Sequence, residues 1–522
     1  MTLWTAIPLV FIAASSPIFT LLRLWQVKEW RLDRLREHLA HENWFKQAYG
    51  WVRPAVLAAW ILLNGAVYLF SGFNAPAVNQ LAILLLLTLA TLTCIQIGFK
   101  KQHLPIWSAK AMSLAGICGA LVISATIVFG FVVNEPLRNI LISVLPFLAP
   151  FFVGVAWIML KPVDVLLKKR IINRAIAVRR AHPRVIVIGV TGSVGKTTTK
   201  ELLANVLKPL DAISTPAHLN TEIGVARWLT GNLKNFPPDK PLIIIVEMGA
   251  YRAGEIELLA KITQPQIGIV TYIGEQHLSL FGSREAIRQA KGELLLALPE
   301  NGHAFLNSDN EAFAELKKMC RSPVTAIGTD GHADMTAFDI EETERGLKFR
   351  ALETAFEVPI AGTHNITSVL FSIAVGRHLN IPINDIARSL KNFSPLRHTF
   401  EIQNIRGVTV LDDTYNLSPM SFRAALKWAR RQPHTKKILL TGGIIELGNQ
   451  EEKIHLELAR EAADIFDQTY ILSPRFLKYF REGGFGDRAK PAIDAKKIEA
   501  GDLLVCSGRL PRSLIDKFLP SS

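Results

Sequence analysis

The stretch Val185–Leu203, VIVIGVTGSVGKTTTKELL, sets a β-branched apolar run against glycines, a lysine and three threonines. The apolar run reads as a buried strand, and the residues from Lys196 onward have the spacing of a helix. A strand that turns through glycines into a helix is a phosphate site, because the free N–H groups of the turn and the helix dipole meet phosphate oxygens. Lys196 adds a positive charge at the β- and γ-phosphates, and the Thr197 hydroxyl is placed for Mg²⁺. Thr191, Gly192, Ser193, Gly195 and Thr198 complete the candidate nucleotide-binding set. The common loop pattern GxxxxGK[ST] asks for glycine at 190, where this chain has Val190. The chemistry in view is that of a nucleoside triphosphate such as ATP, in a transport motor, a kinase or another phosphate-handling enzyme.

More than 180 residues precede this loop, and residues 1–165 are dominated by Leu, Ile, Val, Ala and Phe. A helix needs roughly 20 apolar residues to cross a bilayer. Five segments qualify, at about 3–22, 55–73, 78–99, 112–133 and 140–160. The first lacks the basic leader and the cleavage site of a signal peptide, so it is read as a retained helix. Arg and Lys crowd the connections after the first, third and fifth segments and are scarce after the second and fourth. That alternation predicts the N-terminus outside, five crossings and the phosphate loop in the cytoplasm, at the inner face of the cytoplasmic membrane. The basic stretch 166–183 reads as a juxtamembrane linker, with Lys168–Arg184 a helix along the anionic leaflet or a plain solvated linker. The net charge of +14 over 522 residues follows from these flanks. No basic patch with interleaved aromatics appears, so nucleic acid is not an expected partner. Four cysteines lie far apart, without a CxxC pair, which excludes a disulfide framework or a zinc site.

Further motifs follow in order: HLNTEIGVARWL, IIIVEMGAYRAGEI, IVTYIGEQHLSLFGSREAIRQAKGELL, HAFLNSDN, IAGTHNITSVLFSIA, VLDDTYNLSPMSF and ILLTGGIIELG. Together with TGSVGKTTT they resemble the Mur ligase family over about Val185–Pro520, most of all its D-alanyl-D-alanine-adding branch. The resemblance implies an α/β central domain at 184–393, with the phosphate loop on a doubly wound, mainly parallel sheet. A Rossmann-like C-terminal domain at 394–522 completes the soluble part, and a membrane domain stands where relatives carry a UDP-binding domain. It implies an ADP-forming carboxylate–amine ligase working through an acyl phosphate, which calls for cations and positioning rather than a covalent nucleophile. Lys196 would contact the phosphates, and Thr197, Glu247, His277 and Lys291 would hold two Mg²⁺ ions, Lys291 as a carbamate. Asn307, His364, Asn365 and Asp413 would surround the nucleoside. Asn220, Thr221, Tyr415, Asn416 and Arg509 would face the substrates: a carboxylate-bearing envelope precursor and an amine such as D-Ala-D-Ala.

Plainer alternatives stand beside these roles. Glu247 also reads as a buried structural acid, His277 as a satisfied loop histidine, Lys291 as a surface lysine, and the Asn and Asp residues as stabilisers of their own turns. The chain departs from the family pattern as well. His398 and Thr399 occupy the usual Gly-Arg positions, with Arg397 a candidate substitute, and Ser368, Gly443 and Cys506 replace a customary Asn, Asp and Lys. A polyglutamate-type ligase, a non-catalytic envelope scaffold and an ATP-driven transporter are the competing readings. The transporter lacks any chain of intramembrane Asp, Glu or His.

Overall fold

The computed structural model describes residues 2–41, 44–71, 75–274, 278–331, 333–343, 345–415, 417–433, 436–491, 498–508, 510 and 514. The chain divides into two units, Met1–Lys169 and Arg170–Ser522. The first begins with α1 (Leu3–Val27), α2 (Leu32–His41), α3 (Trp44–Tyr49), α4 (Val52–Ser71), α5 (Ala75–Gly98), α6 (Ala109–Val132) and α7 (Leu137–Val144). A long helix α8, Ala149–Arg180, then carries the chain across the division. Among the described residues, five helical segments are long and apolar enough to cross a membrane, the number expected.

The fifth segment is not one straight helix. It breaks at a tight turn, Leu145–Leu148, where Pro146 has no N–H to continue the ladder. From Ala149 the helix runs unbroken for 32 residues, roughly 48 Å at 1.5 Å per residue. The basic residues expected on a separate surface helix are therefore the last turns of α8, as far as Arg180. The core of the first unit forms around α1, whose Ala6, Val10, Ala13, Ala14, Ile18 and Leu22 are buried against α5 and α6. Small side chains on this face let the backbones approach closely. On the outside of this unit Leu62, Phe70 and Phe131 are 73, 92 and 80% exposed, as side chains facing hydrocarbon would be.

The second unit starts with β1 (Val185–Thr191), α9 (Lys196–Val206), β2 (Ile213–Ser214), α10 (Glu222–Leu233), β3 (Leu242–Glu247), α11 (Glu255–Thr263) and β4 (Ile267–Val270). It continues through α12 (Leu278–Phe281), α13 (Arg284–Leu296), β5 (His303–Asn307), α14 (Phe313–Met319), β6 (Val324–Gly328) and β7 (Met335–Thr336). The seven strands form one parallel sheet in the order β2-β3-β1-β4-β5-β6-β7. Helices cover both faces, so β1 and β3 read as continuous Val/Ile runs rather than as alternating patterns. The winding reverses beside β1, between β3 and β4, and ligands of such sheets gather there at the strands' C-terminal ends. An antiparallel sheet of β8 (Phe338–Thr343), β9 (Gly346–Ala351) and β10 (Thr354–Val358) follows, then α15 (Ile366–His378) and α16 (Ile383–Lys391). The sequence reading had not separated this small sheet from the main one.

The last domain comprises β11 (Glu401–Ile405), β12 (Val408–Asp413), α17 (Pro419–Arg431), β13 (Lys437–Thr441), α18 (Glu451–Ala463), β14 (Gln468–Ile471), α19 (Pro474–Phe480), β15 (Ala489–Lys490) and β16 (Leu503–Ser507). Its six-stranded sheet, β11-β12-β16-β13-β14-β15, is parallel except for β11. The fold class is the one expected: apolar helices, a mainly parallel phosphate-loop sheet and a second α/β domain.

Candidate active site

The phosphate loop leaves β1 through two glycines whose backbone no other residue would share. Gly192 has φ +144°, and a Cβ there would stand 2.1 Å from Thr271 Oγ1. Gly195, at φ +85°, opens α9. Thr271 at the end of β4 donates its hydroxyl to the Val194 carbonyl at 2.6 Å, which ties the loop to the sheet. Lys196 folds over the loop and donates to the carbonyls of Gly192 (2.9 Å) and Ser193 (3.2 Å). Burial lowers the pKa of this ammonium, and the Glu247 carboxylate works against that shift.

Glu247 ends β3 and is 4% exposed. Its Oε2 accepts from the Thr197 hydroxyl at 3.0 Å and its Oε1 from the Asn220 amide at 3.1 Å. Behind it lies Lys200, a fully buried lysine whose Nζ donates to the Thr215 carbonyl at 2.7 Å and stands 3.8 Å from Glu247 Oε2. One turn beyond Lys196 on the same helix, Lys200 was within the quoted motif, and its i, i+4 spacing was the signal that could have found it. Lys291 sits on α13, a helix started by Ser283, whose side chain accepts from the Ala286 N–H. It is 3% exposed, donates to the Ala250 carbonyl at 3.4 Å and lies 5.8 Å from the centre of the Phe281 ring. Burial and then the Lys196 charge push its pKa down to about 7, against the carboxylates of Glu255, Glu293 and Glu247. The surface-lysine reading of Lys291 is thereby set aside. The Thr197 hydroxyl and the Glu247 carboxylate are hard oxygen donors meeting at one point, a set that suits Mg²⁺. His277, Asn416 and Arg509 lie outside the described residues.

A cleft of about 960 Å³ runs from the phosphate loop to the last domain. Ser193, Gly195, Lys196, Thr197, Thr198, Asn307, His364, Asn365, Asp413 and Tyr415 all line it, so the residues expected around a nucleotide are brought together. Two of them carry polar atoms that are buried without a partner, His364 Nδ1 and Asp413 Oδ2. The His364 ring stands edge-on to Phe400 at 4.8 Å, and burial lowers its pKa to about 4, so it is neutral at physiological pH. Asn307 and Asn365 also serve their own turns, accepting from the Asp309 N–H and donating to the Ala361 carbonyl. Tyr415 stacks on His218 with ring centres 4.9 Å apart, and its hydroxyl lies 3.2 Å from His218 Nδ1. His218 comes from the loop before α10, so this pair joins the two α/β domains; nothing in the sequence reading had marked it.

Other expected residues stand apart from the cleft lining. Thr191 is buried and donates to the Met248 carbonyl at 2.9 Å, holding strand ends together. Gly192 shapes the loop, Asn220 holds Glu247, and Thr221 occupies the N-cap of α10 without a side-chain cap bond. Arg397 is exposed and is not among the lining residues, whereas Thr399 is. His398 instead pairs with Asp412, Nδ1 to Oδ2 at 2.7 Å, and fixes the hinge to the turn that carries Asp413.

Asp413 gives a test of the cleft. Burial, and to a lesser extent Asp412, push its carboxyl from 3.8 up to about 7, while a hydrogen bond from the Phe400 backbone opposes the shift. Between these values the unfolded chain has lost a proton that the folded chain keeps, so stability falls as pH rises across that window. Asp413→Asn is expected to raise the melting temperature of the ligand-free protein at pH 8, since an unsatisfied buried charged group costs about 1–3 kcal/mol or more. The same variant should lose most of the melting-temperature gain that ATP gives the parent. An equal gain in both proteins would remove Asp413 from the nucleotide site.

The Mur ligase middle domain matches residues 190–376, and the Mur ligase glutamate ligase domain matches residues 399–510, together more than half of the chain. The chain belongs to the Mur ligase family. This Mur ligase is 34% identical over 276 residues to the UDP-N-acetylmuramoyl-tripeptide–D-alanyl-D-alanine ligase of Bacillus subtilis, covering 52% of the chain and 59% of that protein. It is 31% identical over 284 residues to the ligase of the same name from Escherichia coli, covering 53% of the chain and 62% of that protein. The chain thus spans about three fifths of the length of these relatives. Among solved structures, MurF of Thermotoga maritima in complex with ADP superposes with a TM-score of 0.57 at 27% identity, over 67% of this chain and 82% of that one. MurF of Acinetobacter baumannii superposes with a TM-score of 0.61 at 24% identity, over 68% of this chain and 81% of that one, a likeness of fold. The five apolar helices of this Mur ligase lie outside both matched domains.

Proposed function

We propose that this Mur ligase joins the carboxylate of an envelope precursor of the muramoyl-peptide type to an amine such as D-Ala-D-Ala, using ATP, at the inner face of the cytoplasmic membrane. The observation that carries the reading is Glu247, held by the Thr197 hydroxyl and the Asn220 amide at the mouth of the phosphate loop. A transport motor has no need of Lys291 buried beside this carboxylate, and a scaffold has no need of either.

Lys196 and the N-terminus of α9 would neutralise the triphosphate, while Asn307, His364, Asn365 and Asp413 would orient the nucleoside across the cleft. The substrate carboxylate oxygen would attack the γ-phosphorus, the bond to the β-phosphate oxygen would break, and ADP would leave an acyl phosphate. The amine nitrogen would then attack the acyl carbon, lose a proton and expel phosphate. Thr197 and Glu247, with Lys291 as a carbamate and His277, would hold two Mg²⁺ ions. Bound there, Mg²⁺ would offset the charge of the phosphates and of the substrate carboxylate. Lys200, 3.8 Å from Glu247 Oε2, would hold Glu247 in place. The Tyr415–His218 stack would hold the two α/β domains in the arrangement in which both substrates meet.

Residues 1–189 lie outside the family match and carry apolar helices, which supports a carboxylate presented at the membrane surface. The test is a turnover assay of the full chain in detergent with ATP, Mg²⁺ and D-Ala-D-Ala, offered a UDP-linked or a lipid-linked muramoyl-tripeptide. Phosphate release and product mass are recorded. A product gaining the mass of the dipeptide with one ATP spent is expected. Absence of turnover with every envelope carboxylate and amine tried would favour the scaffold.

A further inference from the structure

One ionisable side chain of the first unit is buried with no counter-charge among the described residues. Arg53 lies in the first turn of α4 and is 4% exposed. Its Nη2 donates to Thr93 Oγ1 at 3.2 Å and to Gln96 Oε1 at 2.9 Å, both on α5, and its Nε is buried with no partner. Among the described residues no carboxylate pairs with it.

The surroundings are polar but neutral. The Ser16 hydroxyl on α1 lies 3.0 Å from Gln96 Oε1 and 2.5 Å from Gln102 Oε1. The Gln102 amide donates to the Ser16 carbonyl at 3.1 Å and lies 2.9 Å from Thr20 Oγ1. The 99–108 connection is pinned over this end of α1 by the Gln26 amide, which donates to the Ile106 carbonyl and accepts from the Ile106 N–H. Ser16 and Thr20 of α1, the end of α5 and the start of α4 thus belong to one polar cluster that includes the guanidinium. Thr20, Gln96 and Gln102 are half-buried and form its lip, with Lys100, Lys101 and Trp107 exposed on the adjoining connection. The Thr93 hydroxyl donates to the Leu89 carbonyl at 3.0 Å and the Gln102 amide donates within the cluster, so these neutral groups accept from and surround the guanidinium without neutralising it.

A lone charge buried in a helix bundle carries a large desolvation penalty, and such groups face a partner or a pathway. Guanidinium matches phosphate as a planar, two-point donor. We propose that Arg53, held by Thr93 and Gln96, binds the phosphate of an anionic lipid headgroup. The orientation expected from the basic connections puts this end at the cytoplasmic leaflet, which is rich in such lipids. The site is independent of the ligase reaction.

The test uses the full chain, purified in detergent and stripped of lipid, with melting temperature and native mass spectrometry as readouts. The probes are dioleoyl phosphatidylglycerol, dioleoylglycerol (the same tails without phosphate) and inorganic phosphate. Phosphatidylglycerol should raise the melting temperature and leave bound lipid adducts, and neither other probe should. The effect should survive about 1 M NaCl, where exposed lysines are screened within roughly 3 Å. Arg53→Gln should weaken lipid retention at least tenfold, and Gln96→Leu should weaken it without removing the charge. An equal response to dioleoylglycerol, or no response by the parent protein to phosphatidylglycerol, overturns the site whatever the variants do. A response to inorganic phosphate alone overturns the lipid assignment, and full loss of binding in high salt reassigns it to the surface lysines.

Discussion

Lys196→Ala is expected to reduce substrate-stimulated ATP turnover by about 10²–10³-fold, the scale on which single groups that stabilise transition-state charge act. Lys196 already lies on the phosphate loop, with its ammonium on the carbonyls of Gly192 and Ser193. A γ-phosphate would take the place of those carbonyls, exchanging neutral acceptors for charged ones, and charge-assisted bonds are about twice as strong. The loop itself is held by Gly192, Gly195 and the Thr271 hydroxyl, none of which depends on the lysine. The variant should therefore melt within a few degrees of the parent while failing to turn over. Retained turnover with product formation would mean that another cation serves the phosphates; a collapse in melting temperature would make the lysine structural. Lys196→Arg should likewise fold and recover little activity, since the fork is bulkier than the ammonium the loop encloses.

The second large effect concerns Lys291, whose pKa is brought down to about 7. Carbamate formation needs the neutral amine, which attacks carbon dioxide, forms an N–C bond and releases a proton. For a group lowered to about 7, the neutral form is scarce below that value and predominates above it, whereas an ordinary lysine stays charged to beyond pH 10. Protein stripped of bicarbonate at pH 6 should lose most of its activity and regain it on addition of bicarbonate at pH 8. Labelled bicarbonate should give a carbamate carbon signal in the parent and none in Lys291→Arg. That variant should lose activity about 10²-fold or more, because a fixed cation would face Lys196 where the carbamate would place an anion. Activity indifferent to bicarbonate, with no carbamate signal, would leave Lys291 as a buried structural lysine.

Much of this was legible in the chain. Strands β1 and β3, the glycine turn and the start of α9 follow from local composition, because a parallel strand buried on both faces is a run of Val and Ile and a phosphate loop needs glycine where φ is positive. Glu247 was legible for the same reason, as the polar residue that ends an apolar strand at the sheet's ligand-binding edge. The break at Pro146 was not legible, since Pro8, Pro17 and Pro162 lie inside helices that continue through them.

Other features depend on pairs of residues far apart in the chain. Lys200 and Lys291 look alike in sequence, as lysines on amphipathic helices; only packing buries both, one against Glu247 and one beneath the Ala250 carbonyl. The Tyr415–His218 stack joins residues 197 positions apart.

The sequence by itself determined the reaction class to be tested and the side of the membrane to be expected, because both rest on local patterns: a loop with its glycines, and basic residues between apolar runs. Tertiary structure decided which charges are buried, which are paired and which stand alone. Burial and pairing arise where separate elements converge, as α1, α4 and α5 do around Arg53, and no local pattern encodes that convergence.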